Sequence, residues 1–188
     1  MKKTHIYAVS VTGVIALILA VICIFYNAFF TKYDLYITNL PAYKGIVIDN
    51  ILVKKSQRKM FLRQAEKIVK EYKISLGGNP KGAKIKKGDQ KTPEGTYYIA
   101  SHNPKSSYHL SLKISYPNKQ QVKQAKENGY DAGGDIMIHG LPNKIPNFIF
   151  NKIHQNYDWT AGCIAVNDEE ISEIYTLVKD GTKIIIEP

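Results

Sequence analysis

The nonapeptide DWTAGCIAV, residues 158–166, is the stretch from which the fold and the chemistry of this chain can be read. Its Cys163 is the only cysteine after residue 30, and it opens a short β-branched run. The preceding residue, Gly162, has no side chain, so a substrate carbonyl has room to approach the thiol closely. The pattern predicts a buried strand that begins at an accessible thiol.

A second stretch, DIMIHG at residues 135–140, reads as a buried strand that ends in His139 and then Gly140. A cysteine and a histidine that a fold can bring together are the minimum set for thiolate chemistry. Our hypothesis is that Cys163 is a nucleophile and His139 its base. From the residues alone, an inert buried cysteine and a satisfied strand-end histidine remain equally open.

The residues around Cys163 suggest supporting roles. Backbone N–H groups at Gly162 and Cys163 are candidates to bind a developing oxyanion. The Thr160 hydroxyl is a candidate to orient the thiol, the substrate or the loop. The other candidate bases are expected in solvated loops or at the surface: His102, His109 and His154.

Metal and cofactor sites are not indicated by the sequence. The histidines have no recognisable ligand spacing and there is no cysteine pair, so we expect no metal. The turn-rich stretch at residues 88–95 lacks the glycine-lysine-hydroxyl order of a phosphate loop. Turn chemistry before a strand explains it, and we expect no cofactor.

The N-terminus contains an apolar run, residues 6–30, that follows Lys2 and Lys3 and has no charge. A membrane span needs roughly 20 residues, so the run predicts an uncleaved signal anchor rather than a cleaved signal peptide or a lipid-modified Cys23. The positive flank predicts a cytoplasmic N-terminus and an exported domain.

The resulting organisation has four parts, and its exported part is basic. The whole chain carries a net charge of +10, which favours attraction to an anionic polymer or membrane surface outside the cell, and no nucleic-acid-binding signature is present. The parts are a cytoplasmic tail at residues 1–5, a transmembrane helix at 6–30, a tether at 31–42 and a domain at 43–188.

The fold class follows from short alternating segments. Residues 67–76 alternate with period two, which favours a hairpin turning at residues 64–66, although a helix over residues 60–73 competes. About seven strands and a few short helices do not alternate regularly, which argues against a doubly wound parallel sheet. We predict a mostly β domain, either a sandwich or an open barrel.

Three motifs together resemble the L,D-transpeptidase catalytic domain of the YkuD type, over about residues 43–188. They are GDxxTPxGxY at 88–97, IHG at 138–140 and TxGCI at 160–164. The resemblance implies a β-sandwich-like domain that attacks the L,D peptide bond of a peptidoglycan stem. It implies that Cys163 is the nucleophile, that His139 is the base, and that the Gly140 carbonyl steadies the imidazole.

The sequence departs from the common SHGCIR form of that family. Thr160 replaces serine and preserves a hydroxyl, whereas Ala161 and Ala165 stand where histidine and arginine are usual. The resemblance implies peptidoglycan stem peptides as donor and acceptor partners, with a thioester intermediate on Cys163. An L,D-carboxypeptidase, a wall-peptide cysteine peptidase and a non-catalytic wall-binding domain remain alternatives.

Overall fold

The structure is a computed structural model that describes residues 11–39, 45–144, 150–151 and 154–188. It divides the chain into two compact units, Met1–Lys44 and Gly45–Pro188. This division lies close to the boundary at residue 43 that the sequence predicts for the domain.

The described part of the first unit is one helix, α1 (Val11–Asn39). It continues through most of residues 31–42, which the sequence assigned to a tether. Within the described part of the chain, no helix has both the length and the hydropathy that crossing a bilayer requires. The transmembrane helix predicted over residues 6–30 is therefore not supported. The predicted tail, residues 1–5, lies outside the described residues.

The second unit is mostly β structure with two α-helices and a 3₁₀ turn in its described residues, which confirms the predicted mostly β class. Its strands are β1 (Asn50–Lys54), β2 (Lys59–Gln64), β3 (Lys67–Lys73), β4 (Gly95–Ser106), β5 (His109–Ile114), β6 (Met137–His139), β7 (Ile164–Ala165) and β8 (Lys183–Glu187). Its helices are α2 (Lys119–Glu127), the 3₁₀ turn (His154–Asn156) and α3 (Asp168–Leu177).

The eight strands form one continuous sheet in the order β3-β2-β1-β8-β4-β5-β6-β7. The long strand β4 pairs with β8 through its first residues and with β5 through its later ones, so it joins two halves. Ser75, just after β3, bridges Ala165 of β7 at the opposite edge. The two halves are thus parts of one sheet, and the Ser75–Ala165 bridge brings its two edges together.

The predicted β2–β3 hairpin is confirmed, and the competing helix is wrong. Ala65 and Glu66 both adopt left-handed backbone conformations, with φ of 46° and 68°. Two such residues make a tight turn whose twist matches that of the flanking strands. Asp49 supports the turn because its Oδ2 accepts a hydrogen bond of 2.6 Å from the Ala65 N–H.

The core lies on one face of the sheet and beneath α3. Alternate residues such as Leu112, Ile138 and Ile164 are fully buried there together with Ile171 and Ile174 of α3. Each such side chain contributes about 1.5–3 kcal/mol by leaving water. Their strand neighbours, which include the candidate catalytic residues, therefore lie on the other face of the sheet.

Helix α3 begins at a capping box that also supports the site. The Asn167 side chain accepts a hydrogen bond from the Glu170 N–H, and the Glu170 side chain accepts one from the Asn167 N–H. This fixes Asp168 in the first turn, where its Oδ1 accepts a 2.8 Å hydrogen bond from the Leu141 N–H. The helix thereby anchors the chain that follows β6.

Candidate active site

Strand register brings the predicted nucleophile and base to one face of the sheet. β6 and β7 run parallel, with Ile138 opposite Ile164 and His139 opposite Ala165. Extended by one residue, this register places Cys163 beside Met137, whose backbone N–H hydrogen-bonds to the thiol. Because side chains alternate along a strand, Cys163 and His139 lie on the same face as diagonal neighbours.

His139 is held in one tautomer. Its ring is 4 % exposed, and Nδ1 lies 2.7 Å from the Gly140 carbonyl oxygen. A carbonyl can only accept, so Nδ1 carries the proton and Nε2 keeps its lone pair. Burial lowers the pKa of His139 to about 4, although the bond to the Gly140 carbonyl works in the opposite direction. At neutral pH the imidazole is therefore a neutral base.

The Cys163 thiol also rests in its neutral form. Burial raises its pKa, the N–H of Met137 partly offsets this, and the charge of Asp135 raises it further. The thiol donates a 3.5 Å hydrogen bond to the Asp135 carbonyl oxygen. The resting pair is thus a neutral thiol and a neutral imidazole.

Thr160 and Gly162 shape the turn that carries the thiol. The Thr160 hydroxyl accepts a 3.1 Å hydrogen bond from the Gly162 N–H and donates a 2.8 Å bond to the Cys163 carbonyl. Gly162 has φ +134°, and a Cβ there would lie 2.6 Å from the Lys91 carbonyl oxygen. The Gly162 N–H, predicted as an oxyanion donor, is therefore already engaged, and Thr160 acts on the loop.

Gly140 is required for close packing as well as for orienting His139. A Cβ there would lie 2.6 Å from Asp168 Oδ1. Its N–H donates to the carbonyls of Tyr108 and Leu110, at 3.1 and 3.3 Å, so this N–H does not serve a substrate either.

The turn at residues 88–95 builds one wall of the site. Thr92 is fully buried, and its Oγ1 accepts a 3.1 Å bond from the Gly77 N–H. Burial by itself raises the pKa of Asp89, but hydrogen bonds from Lys84 and from three backbone N–H groups outweigh it and lower the pKa to about 2. These hydrogen bonds fix the loop in place. Sequence reasoning had explained the stretch by turn chemistry alone.

A cavity of about 400 Å³ opens beside Cys163 along this wall. Ala161 and the Asp135 segment, which contacts the thiol, both line it. Its other lining residues contribute charge and small side chains: Lys84, Lys87, Gly88, Asp131, Gly133 and Gly134.

Aromatic rings pack against the His139 ring. The ring centroids of Tyr108 and Trp159 lie 4.5 and 5.7 Å from that of the imidazole. Phe150 packs edge-on against Trp159 at 5.2 Å. These rings exclude water from His139, which is the physical cause of its low pKa.

An ion pair between distant residues anchors the start of the nucleophile segment, and sequence reasoning missed it. Arg58 donates three hydrogen bonds to the Asp158 carboxylate, at 2.6, 2.9 and 3.0 Å. Asp158 Oδ1 also accepts a 3.0 Å bond from the Leu76 N–H. The Thr160 N–H donates to the Leu76 carbonyl at 3.1 Å, so one chain segment holds both residues.

The other histidines that the structure describes do not join Cys163. His102 lies in β4 and contacts Asp180 at 2.6 Å, and His109 Nε2 lies 3.0 Å from the Ser172 hydroxyl. His154 is 1 % exposed, so its predicted surface location is wrong; it packs under the aromatic wall instead. Among the described residues, no cluster of His, Cys, Asp and Glu could hold a metal.

Comparison with known proteins agrees with this geometry. The family model of the L,D-transpeptidase catalytic domain, YkuD, matches residues 46–186, three quarters of the chain. The chain belongs to the YkuD-type L,D-transpeptidase family. The resemblance drawn from the three motifs is therefore confirmed.

Several known proteins are similar to this chain, and each of them is longer than the part that the chain matches. YafK of Escherichia coli strain K12 is 29 % identical over 113 residues, 59 % of this chain and 37 % of its own. The helical cell shape determining protein Pgp2 of Campylobacter jejuni is 27 % identical with a TM-score of 0.56, and the match covers 74 % of this chain and 47 % of Pgp2. Bd1075 of Bdellovibrio bacteriovorus is 28 % identical with a TM-score of 0.50, and the match covers 77 % of this chain and 49 % of Bd1075. The chain therefore spans less than half of each relative's length.

The two alanines that depart from the common L,D-transpeptidase motif have different surroundings. Ala161 is exposed and lines the cavity beside Cys163. Ala165 is fully buried between His139 on one side and Ser75 on the other. A change at position 161 thus alters the cavity directly, whereas position 165 is enclosed within the sheet.

Proposed function

We propose that this L,D-transpeptidase domain is a cysteine acyltransferase that acts on peptidoglycan stem peptides through a thioester on Cys163. The register of β6 and β7 carries the proposal, because it puts the thiol and the imidazole on one face of adjacent strands. The hydrogen bond from Nδ1 to Gly140 supports it by leaving Nε2 as the basic atom.

In the first half-reaction, Cys163 Sγ attacks the carbonyl carbon of the donor stem peptide while His139 Nε2 takes the thiol proton. The oxyanion accepts a hydrogen bond from the Cys163 N–H, because the N–H groups of Gly162 and Gly140 donate within the fold. The C–N bond then breaks, and the imidazolium of His139 protonates the departing D-amino acid. A thioester on Cys163 remains.

In the second half-reaction, an amine of a second stem attacks the thioester carbonyl. His139 takes a proton from the amine and returns it to the sulfur as the C–S bond breaks, so the thiol is regenerated. The two stems are then joined by a new amide. Water in place of the amine gives L,D-carboxypeptidase activity, which is the alternative within the same chemistry.

The cavity beside Cys163 suits part of a charged stem peptide. Lys87 and Asp131 contribute one positive and one negative side chain to its lining, which complements the carboxylate and ammonium groups of a peptide. Ala161 leaves space next to the turn that holds the thiol. These features support a peptide donor bound along the 88–95 wall.

The same proposal extends to location and cellular role. Peptidoglycan stems lie outside the cytoplasm, so we place the domain there, facing the wall. Pgp2 is described as a helical cell shape determining protein. By similarity to Pgp2, we assign this chain a role in cell wall biogenesis and cell shape.

Intact-protein mass spectrometry with a tetrapeptide-stem muropeptide tests the chemistry. We expect a mass increase that maps to Cys163 and is absent in Cys163→Ala, with Cys23→Ser as the control that keeps it. Product analysis with and without an amine acceptor then separates transfer from hydrolysis. A folded protein that never acquires mass on Cys163 would favour a non-catalytic wall-binding domain.

A further inference from the structure

A row of directly opposed residues crosses the sheet at the level of the base. Ser111 of β5 lies opposite His139 of β6, His139 lies opposite Ala165 of β7, and Ala165 bridges Ser75. In an antiparallel pair, opposed side chains point to the same face with their Cβ atoms about 4.5–5.5 Å apart. The Ser111 side chain therefore lies next to the His139 side chain on the same face of the sheet.

The Ser111 hydroxyl is fully buried and, within the described part of the chain, makes no hydrogen bond. A buried polar group without a partner destabilises a fold, and alanine would fit the same space without that cost. The resting fold thus gives no reason for a hydroxyl at this position. Ser75 differs, because its equally buried hydroxyl donates a 2.5 Å hydrogen bond to the His154 carbonyl.

We propose that Ser111 is a positioning residue for the base, and that its hydroxyl oxygen stabilises the imidazolium that His139 becomes on taking the Cys163 proton. This inference rests on the proposed function. The aromatic wall and the sheet bury His139, which disfavours a positive ring, and the Gly140 carbonyl is one oxygen that offsets this. The Ser111 hydroxyl makes no hydrogen bond to the neutral ring, so its contribution is that of a buried dipole that turns its oxygen toward the positive charge when this charge appears.

Several charged groups near the pair are engaged within the fold, whereas Lys87 and Asp131 line the cavity. Lys113 and Asp135 form an ion pair of 2.7 Å next to the thiol, and Lys84 is bound to Asp89 at 2.7 Å. Asp168 of α3 accepts a hydrogen bond from the N–H of Leu141, the residue that follows Gly140. The ring centroid of Tyr108 lies 4.5 Å from that of His139. A substitution at Ser111 changes none of these groups, so its effect can be assigned to the hydroxyl.

The test is the pH dependence of iodoacetamide alkylation of the full chain, followed at the Cys163 peptide by mass spectrometry so that Cys23 does not contribute. In Ser111→Ala we expect the alkylation rate at pH 7, where the thiolate arises by proton transfer to His139, to fall by up to about tenfold. The rate at high pH, where the thiol loses its proton to solvent, should stay at the wild-type value. The melting temperature should stay equal or rise. Ser111→Thr, which keeps the hydroxyl, should retain the wild-type rate at pH 7.

Ser75→Ala is the matched control in the same row, and it should lower the melting temperature while leaving the alkylation profile unchanged. The inference is overturned if Ser111→Ala melts at a lower temperature or folds only in part, and if its folded fraction keeps the wild-type alkylation profile of Cys163. The Ser111 hydroxyl would then have only a structural role. His139→Ala separates the two proposals. If it leaves the profile as in the wild type, the Cys163/His139 pair itself fails; if it alters the profile and Ser111→Ala does not, only the role of Ser111 fails.

Discussion

The Arg58–Asp158 ion pair gives the sharpest test of how the nucleophile segment is held. Three hydrogen bonds join the two side chains, and a fourth joins Asp158 to the Leu76 N–H. The side chains are 32 % and 17 % exposed, so the pair lies between a surface ion pair and a buried one. Surface pairs contribute at most about 1 kcal/mol, and hydrogen bonds to charged groups about 1.5–3 kcal/mol.

Asp158→Ala should therefore lower the free energy of unfolding by about 2 kcal/mol, or the melting temperature by about 6 °C for a domain of this size. It should also slow acylation of Cys163 by at least about tenfold, because Asp158 fixes the start of the turn and small misplacements of a reacting group are costly. Thermal unfolding and single-turnover mass spectrometry with a tetrapeptide-stem muropeptide measure the two effects.

Glu71→Ala is the matched control for a lost ion pair. Glu71 pairs with Lys59 at 2.5 Å on the β2–β3 hairpin, and both side chains are about half exposed. For Glu71→Ala we expect the free energy of unfolding to change by less than about 0.5 kcal/mol and the rate of Cys163 acylation to stay the same. A double-mutant cycle of Arg58→Ala with Asp158→Ala should give a coupling of about 1–2 kcal/mol. Additive effects, or an Asp158→Ala protein that acylates at the wild-type rate, would refute the reasoning.

Three further predictions concern the base, the turn and the helix cap. His139 has a pKa near 4 in the fold against an ordinary 6.5, so the unfolded chain binds more protons between these values and stability falls as pH drops from about 6.5 to 4. His139→Gln should reduce that fall in melting temperature, leaving the part due to His154, whose pKa burial also lowers; an unchanged slope would contradict the shift. Gly162→Ala should destabilise by about 2 kcal/mol or more and abolish acylation, because its Cβ would meet the Lys91 carbonyl and its φ is positive; a wild-type melting curve would count against this. Asn167→Ala should cost about 1 kcal/mol in urea unfolding through loss of the capping box, and a change within error would show that the cap is not needed.

The part of the fold that sequence reasoning predicted is the part governed by local pattern. Period-two alternation identified the β2–β3 hairpin. The pairing of β6 with β7 is a different matter, because those strands are short and 25 residues separate His139 from Ile164 along the chain. Only the motifs, through the family resemblance, connected them.

The missed features share a physical cause, which is that tertiary contacts decide them. The partner of Asp158 lies 100 residues away, so no local pattern shows it. His154 was expected in a solvated loop or at the surface, yet the residue is buried and its ring packs against Phe150. The engaged Gly162 N–H could have been foreseen, because a threonine two residues earlier commonly accepts such a bond.

The neutral resting state of the pair has a consequence for the location outside the cytoplasm that we propose. A thiolate is the form that oxidants attack, and an oxidising compartment is harmful to an unpaired reactive cysteine. Burial raises the pKa of the Cys163 thiol and lowers that of His139, so at rest the sulfur keeps its proton. Reactivity then depends on the base taking that proton as the substrate carbonyl approaches. We therefore expect hydrogen peroxide to oxidise Cys163 slowly in the free protein, and a sulfenic acid that forms at the rate of an exposed low-pKa thiol would contradict the neutral pair.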